Sequence, residues 1–100
     1  MKGVALVTGA SGGIGGAIAL QLAHDGYAVA VHCHRNENRA QELRDQIVSI
    51  GGRAEVFVCD ITDADAVDYM VNEICRSLGC VSVLVNNAGI AQQKLFTDLS

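Results

Sequence analysis

One hundred residues suffice for one small domain, and with half of them hydrophobic and 18% charged the chain can build a core and is not disordered. A net charge of −4 argues against the basic face that nucleic-acid binding needs, and no apolar run approaches the roughly 20 residues of a membrane span. Met1-Lys2-Gly3 leads straight into an apolar run with no room for a signal peptide, so a cytoplasmic domain is expected.

Val4-Ala5-Leu6-Val7 lacks the polar alternation of a half-exposed strand and suits a parallel strand covered on both faces. Thr8-Gly9-Ala10-Ser11-Gly12-Gly13-Ile14-Gly15 follows, a glycine-rich turn that opens a helix. Ile14, Ile18 and Leu22 recur at helical spacing with Ala17 and Ala19 as small packing partners, and Gly26 ends the helix near His24-Asp25. A second apolar strand is expected at Tyr27–His32. Asn36 reads as the N-cap of a second helix with a stripe of Ala40, Leu43, Ile47 and Ile50, stopped by Gly51-Gly52. Ala54–Cys59 is the third strand. Thr62, with Asp65 three residues on, approximates a capping box for a helix carrying Val67, Met70, Val71, Ile74 and Leu78, which Gly79 ends. Val81–Val85 is the fourth strand, and a polar loop begins at Asn86.

Alternating apolar strands and helices call for an α/β fold with a parallel sheet, right-handed crossovers and helices on both faces. The expected strand order is third, second, first, fourth, the N-terminal half of a Rossmann-type doubly wound sheet. Its switch-point crevice lies beyond the carboxyl ends of the first and fourth strands, where the glycine turn and the loop from Asn86 to Gly89 both fall. Residues 1–100 read as one dinucleotide-binding domain, incomplete at the C-terminus.

Glycines that follow a strand and open a helix inside a βαβ unit bring backbone N–H groups and the positive end of a helix dipole to a phosphate. A structural turn is the plainer alternative. No Lys-Ser/Thr pair follows Gly15, which removes a Walker-type loop. Cys33, Cys59, Cys75 and Cys80 show no C-x-x-C spacing and are expected as buried free thiols. His32 and His34 fall on one face of the second strand and Cys33 on the other, so the three cannot converge on a metal, and no metal site is expected. His24 reads as a favourable cation late in its helix or as plain surface.

Thr8-Gly9-Ala10-Ser11-Gly12-Gly13-Ile14-Gly15 resembles the TGxxxGxG pattern of the classical short-chain dehydrogenases/reductases. Asn86-Asn87-Ala88-Gly89 resembles their NNAG motif, and Cys59-Asp60 stands at the place of their adenine-contacting Asp. Within that family the chain is most similar to the 3-oxoacyl-[acyl-carrier-protein] reductases and their sugar- or steroid-alcohol-oxidising relatives. The resemblance implies that Gly9, Ser11, Gly12, Gly13, Ile14 and Gly15 wrap the pyrophosphate and adjoining ribose. It implies that Asp60 accepts from the adenine amino group, that the Ile61 N–H donates to the ring, and that Ala88 and Gly89 lie beside a cofactor ribose. Asn86 and Asn87 would tie the central strands together.

An NAD enzyme places an acid at the end of the second strand to bind the ribose 2′-hydroxyl. Here His32-Cys33-His34-Arg35-Asn36 has none, and Cys33 stands where the acid would be. Arg35 offers a planar charged fork to a 2′-phosphate, with His34 assisting, so NADP(H) is favoured and NAD(H) remains possible. Many NADP-dependent members carry Arg or Lys at the position of Gly12, a charge missing here.

The family exchanges a hydride between nicotinamide and a carbonyl or alcohol, with a Tyr-x-x-x-Lys pair as acid/base and a Ser polarising the substrate oxygen. Tyr27 and Tyr69 have no Lys four residues on, so no catalytic residue is expected within these 100 residues. The resemblance thus implies the cofactor-binding part of an NAD(P)-dependent oxidoreductase, inactive alone, whose parent acts on a small-molecule or acyl-carrier-bound substrate and forms a homo-tetramer. The alternative is a non-catalytic dinucleotide-binding sensor module. A methyltransferase would need an acid after the second strand and has no use for the NNAG loop. The unpaired far edge of the fourth strand should leave the chain marginally stable.

Overall fold

The computed structural model describes residues 2–10 and 13–87. The elements alternate strictly: β1 (Val4–Thr8), α1 (Gly13–His24), β2 (Ala28–Cys33), α2 (Glu37–Ser49), β3 (Ala54–Val58), α3 (Ala64–Ser77) and β4 (Val81–Asn86). The four strands form one parallel sheet in the order β3-β2-β1-β4. This is the expected half of a doubly wound sheet. Every residue of β1 and β2 is buried, as a central strand with helices over both faces requires, while the outer β3 and β4 are only partly covered.

Pleating divides the core in two. Val4, Leu6, Ala28 and Ala30 pack under α3 with Val67, Met70, Ile74 and Leu78. Val7, Val29, Val31 and Cys33 face α1 and α2, meeting Ala19, Ala23, Ala40, Leu43 and Ile47. The helices run out into Gly26, Gly51 and Gly79, all at positive φ.

The structure corrects several local expectations. β2 runs one residue later than its apolar pattern suggests, ending at Cys33, because Cys33 still pairs with Val58 of β3. In α1 the buried file is Gly15, Ala19 and Ala23, not Ile14, Ile18 and Leu22, and Ile14 is 74% exposed. The two files share one spacing, and the smaller one lets the helix lie closer to the sheet. Ile50 leaves the α2 stripe because the helix ends at Ser49, and it is half exposed. Asn36 occupies the α2 N-cap position without a side-chain capping bond.

Asp63, not Thr62, caps α3: its carboxylate accepts from the N–H groups of Asp65 and Ala66 at 3.1 and 3.2 Å. Thr62 is held instead by Asp60. The expectation of four free thiols fails for two of them. Cys75 and Cys80 are joined as a disulfide, since the turn through Gly79 (φ +122°) folds the end of α3 onto the start of β4 and brings their Cα atoms to 4.2 Å. Cys33 and Cys59 are free and buried. Burial pushes both thiols up, with acidic neighbours adding to it, and this keeps them protonated and unreactive.

Candidate functional site

The site is built on the carboxyl ends of β1 and β2, where two fully buried strands fix the starting points of two connections. Thr8 closes β1 and Gly9 turns the chain at φ +62°, where glycine avoids the penalty a side chain would incur. Ala10 is buried, and its N–H bonds the His32 carbonyl at 3.0 Å. α1 then starts at Gly13.

Three observations hold this helix in place. First, a Cβ on Gly15 would come within 2.8 Å of the Gly9 carbonyl, 3.1 Å of Ala10 Cα and 2.6 Å of Asn87 Nδ2, so only glycine fits where helix, turn and the end of β4 converge. Second, the Asn87 amide donates to the Gly9 carbonyl at 3.2 Å. Third, Thr8 Oγ1 accepts from the Asn87 N–H at 3.0 Å, and lies 3.3 Å from both the Val85 carbonyl and Asn86 Oδ1. Gly13 is the opposite case. A Cβ there would meet nothing within 4 Å, and the residue lies exposed at the helix start. With no acid in its first turn, α1 carries no side-chain charge there that opposes the positive end of its dipole.

β2 and β3 supply the neighbouring corner. His34 and Arg35 are exposed just past β2, and Asp60 is exposed just past β3. Asp60 Oδ1 accepts from both the Thr62 hydroxyl (2.7 Å) and the Thr62 N–H (3.0 Å), closing a tight Asx turn. Those two bonds hold the Asp60 carboxyl below its ordinary value, and the charges of His34 and Arg35 add to the effect, so all three residues share one corner. Ile61 is buried in the α3-side core. Arg39, in the first turn of α2, and Glu42 line a groove with Ala10, Gly13 and Gly16.

Of the residues expected at a cofactor, Gly9, Gly13, Gly15 and Asn87 are brought together around the start of α1, with Ile14 exposed beside them. His34, Arg35 and Asp60 gather at the adjoining corner with Ile61 beneath. Ser11, Gly12, Ala88 and Gly89 lie outside the described residues. Among the described residues no three His, Cys, Asp or Glu side chains group as metal ligands, and no helix is long and apolar enough to cross a membrane.

His32 has a part that a search for metal ligands overlooks. Only 2% exposed, it joins the two corners: Nδ1 accepts from the Gly9 N–H at 3.0 Å, and Nε2 meets the Cys59 carbonyl at 2.8 Å. A histidine ending an apolar strand was the available signal. A buried ring needs partners for both nitrogens.

Comparison with known proteins agrees with this geometry. A family model described as short chain dehydrogenase matches residues 3–100. The 3-oxoacyl-[acyl-carrier-protein] reductase of Staphylococcus aureus is 44% identical over 91 residues, which is 91% of this chain and 37% of that protein. A dehydrogenase/reductase from Sinorhizobium meliloti superposes with a TM-score of 0.84 at 43% identity, covering 89% of this chain and 35% of the other. A metagenomic short-chain oxidoreductase solved in complex with NADP gives 0.79 at 40% identity, over 87% of this chain and 39% of the other. The chain therefore spans well under half the length of the relatives it matches.

Proposed function

The chain belongs to the short-chain dehydrogenase family, and on that premise we propose that it is the dinucleotide-holding part of an NADP(H)-preferring oxidoreductase. The reaction is hydride exchange between nicotinamide and a carbonyl/alcohol pair. The observation that carries the reading is the start of α1: an acid-free first helical turn seated against Gly9 and Asn87 through Gly15, with His34, Arg35 and Arg39 exposed on the neighbouring elements. That combination fits a pyrophosphate, because a helix N-terminus with no acid of its own favours an anion.

In this reading Gly9, Ser11, Gly12, Gly13 and Ile14 line the pyrophosphate and adjoining ribose. Gly15 acts differently from its neighbours: its missing side chain lets α1 dock against Gly9, and ligand contact is not its main task. Asp60 accepts from the adenine amino group, for which its depressed pKa keeps it ionised, and the Ile61 N–H donates to the ring. Ala88 and Gly89 border the nicotinamide-side ribose. Arg35 and His34 grip the 2′-phosphate, and no acid at the end of β2 opposes it. The bound dinucleotide supplies or accepts the hydride, and the residues of this chain hold and orient it. The name of the Staphylococcus aureus relative favours a 3-oxoacyl thioester on a carrier protein as the parent's substrate, and a cytoplasmic homo-tetramer is our reading of its form, carried over from the resemblance.

Separate fluorescence titrations with NADPH and NADH test this. NADPH should bind more tightly, and Arg35→Ala should weaken NADPH by roughly tenfold while leaving NADH unchanged, the loss expected for a charge-assisted hydrogen bond. Tighter NADH binding, or no effect of Arg35→Ala, would remove the 2′-phosphate assignment.

A further inference from the structure

The connections after β1 and β3 touch through one buried side chain. His32 lies at the end of β2 between them, accepting from the Gly9 N–H with Nδ1 and facing the Cys59 carbonyl with Nε2. Both bonds can be made at once only by the neutral ring carrying its proton on Nε2, since a donor must face the carbonyl and an acceptor must face the N–H. The backbone of His32 adds to the clasp, its carbonyl accepting from Ala10. One residue thus sets the first bend of the glycine turn and ties it to the strand end that precedes Asp60.

We propose that His32 is a positioning residue whose neutral form holds Gly9 and Ala10, the first bend of the glycine turn, in place for a bound dinucleotide, and that protonation of Nδ1 releases them, so that dinucleotide affinity falls in acid. The proposal rests on the dinucleotide reading of the site. Protonation would set an N–H on the ring against the Gly9 N–H, turning an attractive contact into a repulsive one beside a ring that is itself buried. The ionisable groups on the elements packed around the ring are few. Its own strand end brings Cys33, His34 and Arg35, the β3–α3 connection brings Cys59, Asp60 and Asp63, and β1 with the turn as far as Ala10 brings none. Burial and the His34 charge favour the neutral ring against the pull of the Cys59 carbonyl, so release belongs below the ordinary histidine range.

The test compares NADP⁺ affinity, by calorimetry, at about pH 7.5 and about pH 5 for the wild type, His32→Asn, His32→Leu and His24→Gln. Asn can set an amide oxygen near the place of Nδ1 and does not titrate. The wild type should weaken roughly tenfold or more in acid beyond the loss seen in His32→Asn, which itself should stay within about threefold of the wild type at the higher pH. His32→Leu should bind poorly at both, and His24→Gln, outside the site, should keep the wild-type pH profile. The titration of the ligand's own phosphate is common to all four. An identical pH profile in the wild type and His32→Asn would overturn the proposal.

A second measurement needs neither ligand nor variant. Nitrogen NMR of the wild-type ring should show the Nε2-protonated neutral form near neutrality, with exchange of the Gly9 amide rising as the ring protonates. The opposite tautomer, or a Gly9 amide indifferent to ring charge, would also overturn it. Should these signals appear as expected while NADP⁺ fails to bind at any pH, the dinucleotide reading falls and the clasp stands.

Discussion

α1 meets the sheet through Gly15, Ala19 and Ala23, whereas α3, on the opposite face, meets it through Val67, Met70, Ile74 and Leu78. The N-termini differ as sharply as the packed faces. α3 begins with Asp63 bonded to two backbone N–H groups and carries Asp65 in its first turn, so its positive end is already neutralised by the chain itself. α1 begins at an exposed Gly13 with no acid in its first turn. Large side chains give α3 its hold on the core, and that hold leaves its terminus free to be closed. Small ones let α1 approach the sheet until Gly9, Gly15 and Asn87 touch, which fixes where its N-terminus points. A helix that stabilises and a helix that presents are different designs: α3 is strongly amphipathic, whereas α1 is apolar nearly all round.

The largest effect should come from the α3 face. Ile74 is fully buried, and Ile74→Ala should cost about 2–5 kcal/mol in chemical denaturation, a large share of a small domain's stability. A cost near zero would mean that the α3 layer is not the main core. Next, Gly15→Ala should cost about 1–3 kcal/mol, because its methyl meets the backbone of Gly9 and Ala10, and it should also weaken NADPH binding by displacing Asn87 from Gly9. Full stability in that variant would show that α1 has room to move and would dissolve the contrast. Asp63→Ala should cost about 1 kcal/mol by freeing two N–H groups, read as a lowered urea midpoint with an unchanged slope. The smallest effect belongs to Ile14→Gln, within about 0.5 kcal/mol, since Ile14 stands largely in solvent. A core-sized loss there would restore the apolar file read from the sequence.

Much of the fold was legible because the signals were local and redundant. Continuous apolar runs at Val4–Val7 and Ala28–Val31 marked central strands, glycines marked the helix ends, and handed crossovers left one sensible strand order. The glycine turn and the Asn86-Asn87 pair were placed at the same crevice, and the structure joins them through Thr8, Gly9 and Asn87. The errors arose where two neighbouring residues offered the same chemistry. Thr62 and Asp63 can both cap a helix, and the choice went to Asp63 because Asp60 had captured the Thr62 hydroxyl and N–H. Ile14 and Gly15 begin files of identical spacing, and hydrophobicity favoured the wrong one.

The amino-acid sequence by itself determined the alternation of strands and helices, the sheet order and the position of the glycine turn, because periodicity, glycine and chain handedness act over short distances. Only the tertiary structure decided which face of α1 is seated, which side chain closes α3, that Cys75 reaches Cys80, and that His32 links the ends of β1 and β3. Each of these depends on a distance between segments remote in the chain or on competition for one partner. Such distances and competitions come into being only when the sheet has formed.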